Sequence, residues 1–240
     1  MSQYICVDIG GTSIKHGVLD ENAIIKECNQ TKTEAWLGGA AVLDKVKTIG
    51  KQYKEQYENI EGICISTAGM VDPEEGKIVF AGELMPGYTG TCIKKELEKA
   101  LEMPCEVEND VNCAGLAEYV SGSAKESHIM FCATVGTGIG GCAIVNGRVF
   151  HGASNSACEV GYIPMGDSDF QTLGASSILV RKVAEKKIEP LDMWDGKKIF
   201  ALAEKGDKVC ISAIKEMCDV LGKGLATICY VLNPDTIVLG

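Results

Sequence analysis

Two segments of this 240-residue chain share a pattern that limits the folds open to it. DIGGTSIKHGVLD fills 8–20 and TVGTGIGGCAIVN fills 134–146. Each reads as a strand, a glycine-rich turn with threonine, and a strand running back. Such a repeat implies a duplicated fold in which two equivalent turns face one cleft. The flanking patterns agree. Tyr4 to Ile9, Ile14 to Leu19 and Ala23 to Glu27 read as three short strands. Leu37, Ala41, Val46, Ile49, Tyr53 and Tyr57 then mark one face of a helix. Ile60 to Ser66 is a buried strand, Ile93 to Leu101 an amphipathic helix, Cys105 to Glu108 a strand, and Val111 to Val120 a helix. From Ile129 the order starts again, with strands at 129–135, 140–145 and 148–150. A long helix over 207–232 is stopped by Asn233-Pro234 and followed by a strand over 236–239. That alternation is an α/β chain, expected as lobes 1–114 and 115–240.

Composition narrows the function. Glycine supplies 28 of 240 residues, well above the usual share of about 7%, and with no Gly-X-Y period the surplus must serve turns or close backbone approach. No run reaches the ~20 apolar residues of a membrane span, and Met1-Ser2-Gln3-Tyr4 lacks a secretory pattern. With 23 basic against 33 acidic residues the net charge is −10, which speaks against a nucleic-acid partner. Twelve cysteines include no C-x₂-C pair. Cys6, Cys64, Cys132 and Cys142 sit inside apolar runs, so the expectation is buried, reduced thiols in a cytoplasmic protein, most of them reachable only on unfolding.

The glycine turns carry the first chemistry. In Asp8-Ile9-Gly10-Gly11-Thr12 two residues without Cβ let backbone N–H groups close on an anion, and Thr12 adds a hydroxyl. Asp8, at a strand end, could hold Mg²⁺ through water beside a phosphate. Gly136-Thr137-Gly138 offers a second cradle. Neither turn is a Walker A loop or a G-x-G-x-x-G fingerprint. A third element, Glu106-Val107-Glu108-Asn109-Asp110-Val111-Asn112, delivers polar groups from a strand to a helix start. Asn and Asp are favoured helix caps. An aspartate there could also accept a proton from a substrate hydroxyl.

Six motifs in order resemble the ROK family of bacterial sugar kinases and sugar-responsive repressors: DIGGTSIKHGVLD, STAGMVD with GKI, PGYTG, ENDVNCAGLAE, VGTGIGGCAIVNGRVFHGASNSACEVGY and LNPDTIVLG. The resemblance implies a two-lobed actin-like ATPase (ribonuclease H-like) fold, duplicated βββαβα units around an interlobe cleft, and ATP-dependent phosphorylation of a hexose or related sugar. It places Asp8, Gly10, Gly11, Thr12 and Lys15 in the first phosphate motif, and Gly136, Thr137 and Gly138 in the second. Asp110 falls on the family's catalytic base, Asn109 on its sugar-binding asparagine, and Glu159 on a glutamate that contacts the sugar ring. Gly69 lies in the STAG motif near the substrate, and Glu83, across a one-residue insertion, takes the place of another sugar-touching asparagine. ATP, Mg²⁺ and a homodimer are implied with these.

The departures are also informative. Tyr162 stands where most of the family has a histidine, and Gln171 where a second sugar-binding glutamate would be. The segment GYIPMGDSDFQTLGASSILV holds no His or Cys, so no zinc site is expected. Residues contacting adenosine are expected beyond Gly240. A repressor would carry a helix-turn-helix domain ahead of Asp8, and that reading is set aside. A non-catalytic sugar-binding relative remains as the alternative, and among kinase substrates glucose, β-glucosides, fructose and N-acetylmannosamine stay open.

Overall fold

A computed structural model describes residues 2–240. Contacts divide the chain into two compact units, Met1–Cys113 and Ala114–Gly240. In the first, β1 (Gln3–Ile9), β2 (Ser13–Asp20) and β3 (Ile25–Lys32) form an antiparallel meander. α1 (Gly39–Gln56) then leads to β4 (Ile60–Thr67), which lies parallel to β1. A small hairpin, β5 (Met70–Asp72) and β6 (Lys77–Phe80), precedes α2 (Ile93–Leu101), β7 (Cys105–Asn109) and α3 (Asp110–Val120). The sheet order is β3-β2-β1-β4-β7.

The second unit repeats the scheme. β8 (Ile129–Val135), β9 (Ile139–Val145) and β10 (Arg148–Val149) form the meander. After the β11–β12 hairpin (Pro164–Met165, Ser168–Asp169) come α4 (Phe170–Gly174), α5 (Ser176–Lys187), α6 (Gly196–Glu204) and α7 (Lys208–Leu232). β13 (Thr236–Leu239) then pairs parallel with β8, giving the order β10-β9-β8-β13. That is the β3-β2-β1-β4 order of the first sheet, so the duplication legible in the two glycine segments extends to the topology.

Strand alternation decides the core. Ile5, Val7 and Ile9 of β1, Ile63 and Ile65 of β4, and Cys105 and Val107 of β7 share one buried face. Val42, Val46 and Ile49 of α1 and Ile93, Leu97 and Leu101 of α2 belong to the same cluster. In the second unit Phe131 and Ala133 of β8 and Ala143 of β9 join Phe170 and Ile228. No helix among the described residues is long and apolar enough to cross a membrane.

Three expectations are corrected. The third strand runs over 25–32 rather than 23–27. The Asp20 carboxylate accepts from the N–H groups of Asn22 and Ile24, and Ala23 adopts a left-handed φ of 61°, so that stretch is a turn. The polar residues after it pair with β2 as an edge strand. The first helix starts at Gly39, two residues late, after a short 3₁₀ turn over Ala35–Leu37. The cysteines are not mostly core residues: Cys105, Cys132, Cys142 and Cys210 are buried, whereas Cys28, Cys64, Cys218 and Cys229 are exposed. Cys64 shows why. Its neighbours Ile63 and Ile65 take the core face, and the pleat turns Cys64 to the opposite side. A thiol reagent therefore reaches several cysteines in the folded protein.

Two glycines two residues apart in α7 give opposite expectations. A Cβ at Gly222 meets nothing within 4 Å, so Gly222→Ala should stabilise by about 0.5–1 kcal/mol through helix propensity. A Cβ at Gly224 would lie 2.2 Å from the Phe170 ring, so Gly224→Ala should destabilise by about 1–3 kcal/mol. Denaturant melts of the two variants check both signs.

Candidate functional site

The ends of three parallel strands build the site in the first unit. Ile9 of β1 is in register with Thr67 of β4, and Thr67 with Asn109 of β7. The segments Gly10-Gly11-Thr12, Ala68-Gly69 and Asp110 therefore leave the sheet from one row. Open α/β sheets bind ligands at this carboxyl edge. Neighbouring segments are tied to one another. Ala68 N–H donates to the Ile9 carbonyl, and Asn109 Nδ2 donates to the Gly69 carbonyl at 2.9 Å. Gly69 has φ 101°, and a Cβ there would sit 2.8 Å from the Phe80 carbonyl, so this position requires glycine.

Asp8 and Lys15 face each other across the β1–β2 hairpin, whose turn is closed by Gly10 N–H donating to Ser13 O at 3.0 Å. Neither Gly10 nor Gly11 has a positive φ; what they contribute is room. Asp8 Oδ1 accepts from Ser66 Oγ at 2.8 Å, a bond made possible by the Asp8–Ser66 register of the parallel pair. Sequence reasoning misses Ser66. Its signal is visible only once the strands are paired.

Asn109 and Asp110 divide the labour at the start of α3. Asn109 Oδ1 accepts from the N–H groups of Val111 and Asn112, so Asn109 is the helix cap. Its amide nitrogen donates to Gly69 O and to Asp110 Oδ1. Asp110 Oδ1 accepts from Val111 N–H as well. The surrounding protein thins the hydration of this carboxyl and holds it above the usual carboxylate range, although the residue stays accessible at the surface; the nearby charge of Asp8 pushes the same way. Glu108 Oε1 accepts from Asn109 N–H and Asn112 Nδ2, steadying the same turn. Glu83 is exposed in the loop between β6 and α2, which is pinned by buried Met85 and Tyr88; the Tyr88 hydroxyl bonds Thr67 Oγ1 at 2.7 Å.

In the second unit, the turn Gly136-Thr137-Gly138 joins β8 to β9, and Gly136 N–H donates to Gly138 O. The start of α5 grips it: Ser176 Oγ donates to Val135 O, and Ser177 donates to Thr137 O and, through its N–H, to Gly136 O. Gln171 lies against the same turn. A Cβ on Gly138 would come 2.7 Å from Gln171 Oε1, and one on Gly161 would come 2.9 Å from it. Gln171 therefore links the glycine turn to the segment holding Glu159, which precedes a 3₁₀ turn over Val160–Tyr162. Tyr162 is 64% exposed. Among the described residues no group of three His, Cys, Asp or Glu side chains could hold a metal ion unaided.

Comparison with known proteins places this arrangement. The ROK family model matches residues 4–240. A protein of uncharacterized function from Clostridium perfringens is 46% identical over 241 residues, covering 100% of this chain and 81% of its own length. The β-glucoside kinase of Klebsiella pneumoniae is 31% identical, covering 97% of this chain and 79% of that protein. Among solved structures, the ROK family glucokinase of Streptomyces griseus in complex with glucose and AMPPNP aligns with a TM-score of 0.84 at 26% identity, covering 100% of this chain and 83% of that one. The chain belongs to the ROK family and has its actin-like ATPase fold.

Proposed function

We propose that this chain transfers the γ-phosphoryl group of ATP to a sugar hydroxyl, with Asp110 as general base. The enzyme class rests on the relatives: the chain is an ATP-dependent sugar kinase. The assignment of roles rests on the shared row of strand ends, which gathers Asp8, the Gly10–Thr12 turn, Asn109 and Asp110 on one edge. The Asp110 carboxylate takes the hydroxyl proton as the sugar oxygen bonds to phosphorus and the bond from phosphorus to ADP breaks. Asn109 orients that carboxylate through its bond to Oδ1. Gly10, Gly11, Thr12 and Lys15 hold phosphate, and Gly136, Thr137 and Gly138 form a second phosphate turn. Asn109, Gly69, Glu83, Glu159, Tyr162 and Gln171 contact sugar.

Mg²⁺ fits Asp8 on the donor set. Ser66 occupies one carboxylate oxygen, the other has no protein donor among the described residues, and a lone carboxylate suits an ion that arrives with nucleotide and keeps its waters. When bound, the ion would offset charge on the phosphates. The full-length protein, given MgATP with glucose, cellobiose, fructose and N-acetylmannosamine in turn, should release ADP and yield a sugar phosphate by mass spectrometry. ADP formation independent of every sugar would end this proposal.

A further inference from the structure

The chain has two tryptophans, and they are placed in opposite ways. Trp194 is buried, with Lys198 Nζ over its ring at 4.2 Å. Trp36 is 71% exposed and its neighbour Leu37 is 55% exposed, an unusual setting for so large an apolar surface. The segment bearing them is nevertheless held at both ends. On one side Thr33 N–H donates to Thr12 O and Thr33 Oγ1 donates to Gly10 O, both in the first phosphate turn. On the other, Gly39 N–H donates to Pro86 O, three residues beyond Glu83, and a Cβ at Gly38 or Gly39 would come within 2.8 Å of Pro86 or Tyr88. Buried Ala35 anchors the short turn between. Leu84, next to Glu83, is 84% exposed. The backbone that carries this exposed indole is thus tied at one end to the phosphate turn and at the other to the loop after Glu83.

Pyranose rings carry hydroxyls around the equator and C–H groups on their faces, so an aromatic plane binds a face while polar side chains read the edge. The polar groups assigned to the reacting ring include Asn109, Asp110, Glu83, Glu159 and Gln171. Trp36 adds an apolar plane outside that set. We infer that Trp36, with Leu37, is the platform for a second ring attached to the reacting sugar, so that the substrate is a glycoside such as a disaccharide rather than a free hexose. This role for Trp36 rests on the kinase reading. The glycosidic bond stays intact, and only the hydroxyl facing Asp110 is phosphorylated.

Steady-state kinetics of the full-length enzyme with MgATP, using cellobiose and glucose as probes, tests it. Wild type should favour cellobiose in kcat/KM by about 10-fold or more. Trp36→Ala should lose about 10-fold on cellobiose while glucose changes less than about 2-fold, and Trp36→Phe should recover most of the loss. Cellobiose should also shift the tryptophan fluorescence of wild type and leave that of Trp36→Ala unchanged. A preference for glucose, or equal losses on both sugars, overturns the inference and leaves the kinase intact. Dissociation of an oligomer by Trp36→Ala with selectivity unchanged makes Trp36 a subunit contact and also overturns it. No phosphorylation of either probe or any other sugar overturns the kinase reading itself.

Discussion

Asp110→Asn should lower kcat by at least ~100-fold while the protein folds and binds sugar within a few-fold of wild type. A positioned base supplies that much, and asparagine cannot take the proton although it keeps the shape and the bond from Val111 N–H. The helix survives because Asn109, not residue 110, supplies the main cap. The pH profile adds a second reading. With Asp110 as the proposed base, catalysis needs it ionised, so wild-type activity should fall as pH drops through its pKa. Desolvation and Asp8 place that limb above the ordinary carboxylate range. The variant's residual activity should lack this limb. Near-normal turnover by Asp110→Asn would reduce the residue to a helix-start acid and remove the mechanism.

Asp8→Asn should cut kcat/KM for MgATP by roughly 100-fold, with sugar affinity little changed. The substitution removes a carboxylate beside the first glycine turn and weakens the acceptor for Ser66 Oγ. It also withdraws a negative charge that raises Asp110, so the acid limb of the remaining activity moves to lower pH. Calorimetric titration of nucleotide with and without Mg²⁺ separates the two effects. Equal ATP affinity in wild type and variant, with Mg²⁺ present, would remove Asp8 from the phosphate site.

Much of the fold and site is legible in the sequence because it is local. A glycine turn between two strands, a cap residue before a helix, and a proline after one are written in consecutive residues. The order of motifs then points to the family. The illegible part depends on partners far along the chain. Ser66 reads as an ordinary strand residue until parallel pairing sets it opposite Asp8. Gln171 reads as a lost acid until its amide is found against Gly138 and Gly161. The bonds by which Asn109 caps α3 and holds Gly69 and Asp110 are likewise visible only in the fold. The exposure of Cys64 escapes the sequence for a related reason: an apolar run names a strand but not which face each side chain takes.

The row of strand ends that gathers the site also sets when it can exist during folding. The β1–β2 and β8–β9 hairpins join near neighbours, so they can close within microseconds. The parallel pairs join Cys6 to Cys64 and Met130 to Thr236, which requires closing long stretches of chain first. Each glycine turn is therefore an early product of folding, whereas the alignment of Ile9, Thr67 and Asn109 waits for the slow, non-local pairings. A refolding chain should regain most of its strand and helix signal before it regains any capacity to bind nucleotide and sugar together.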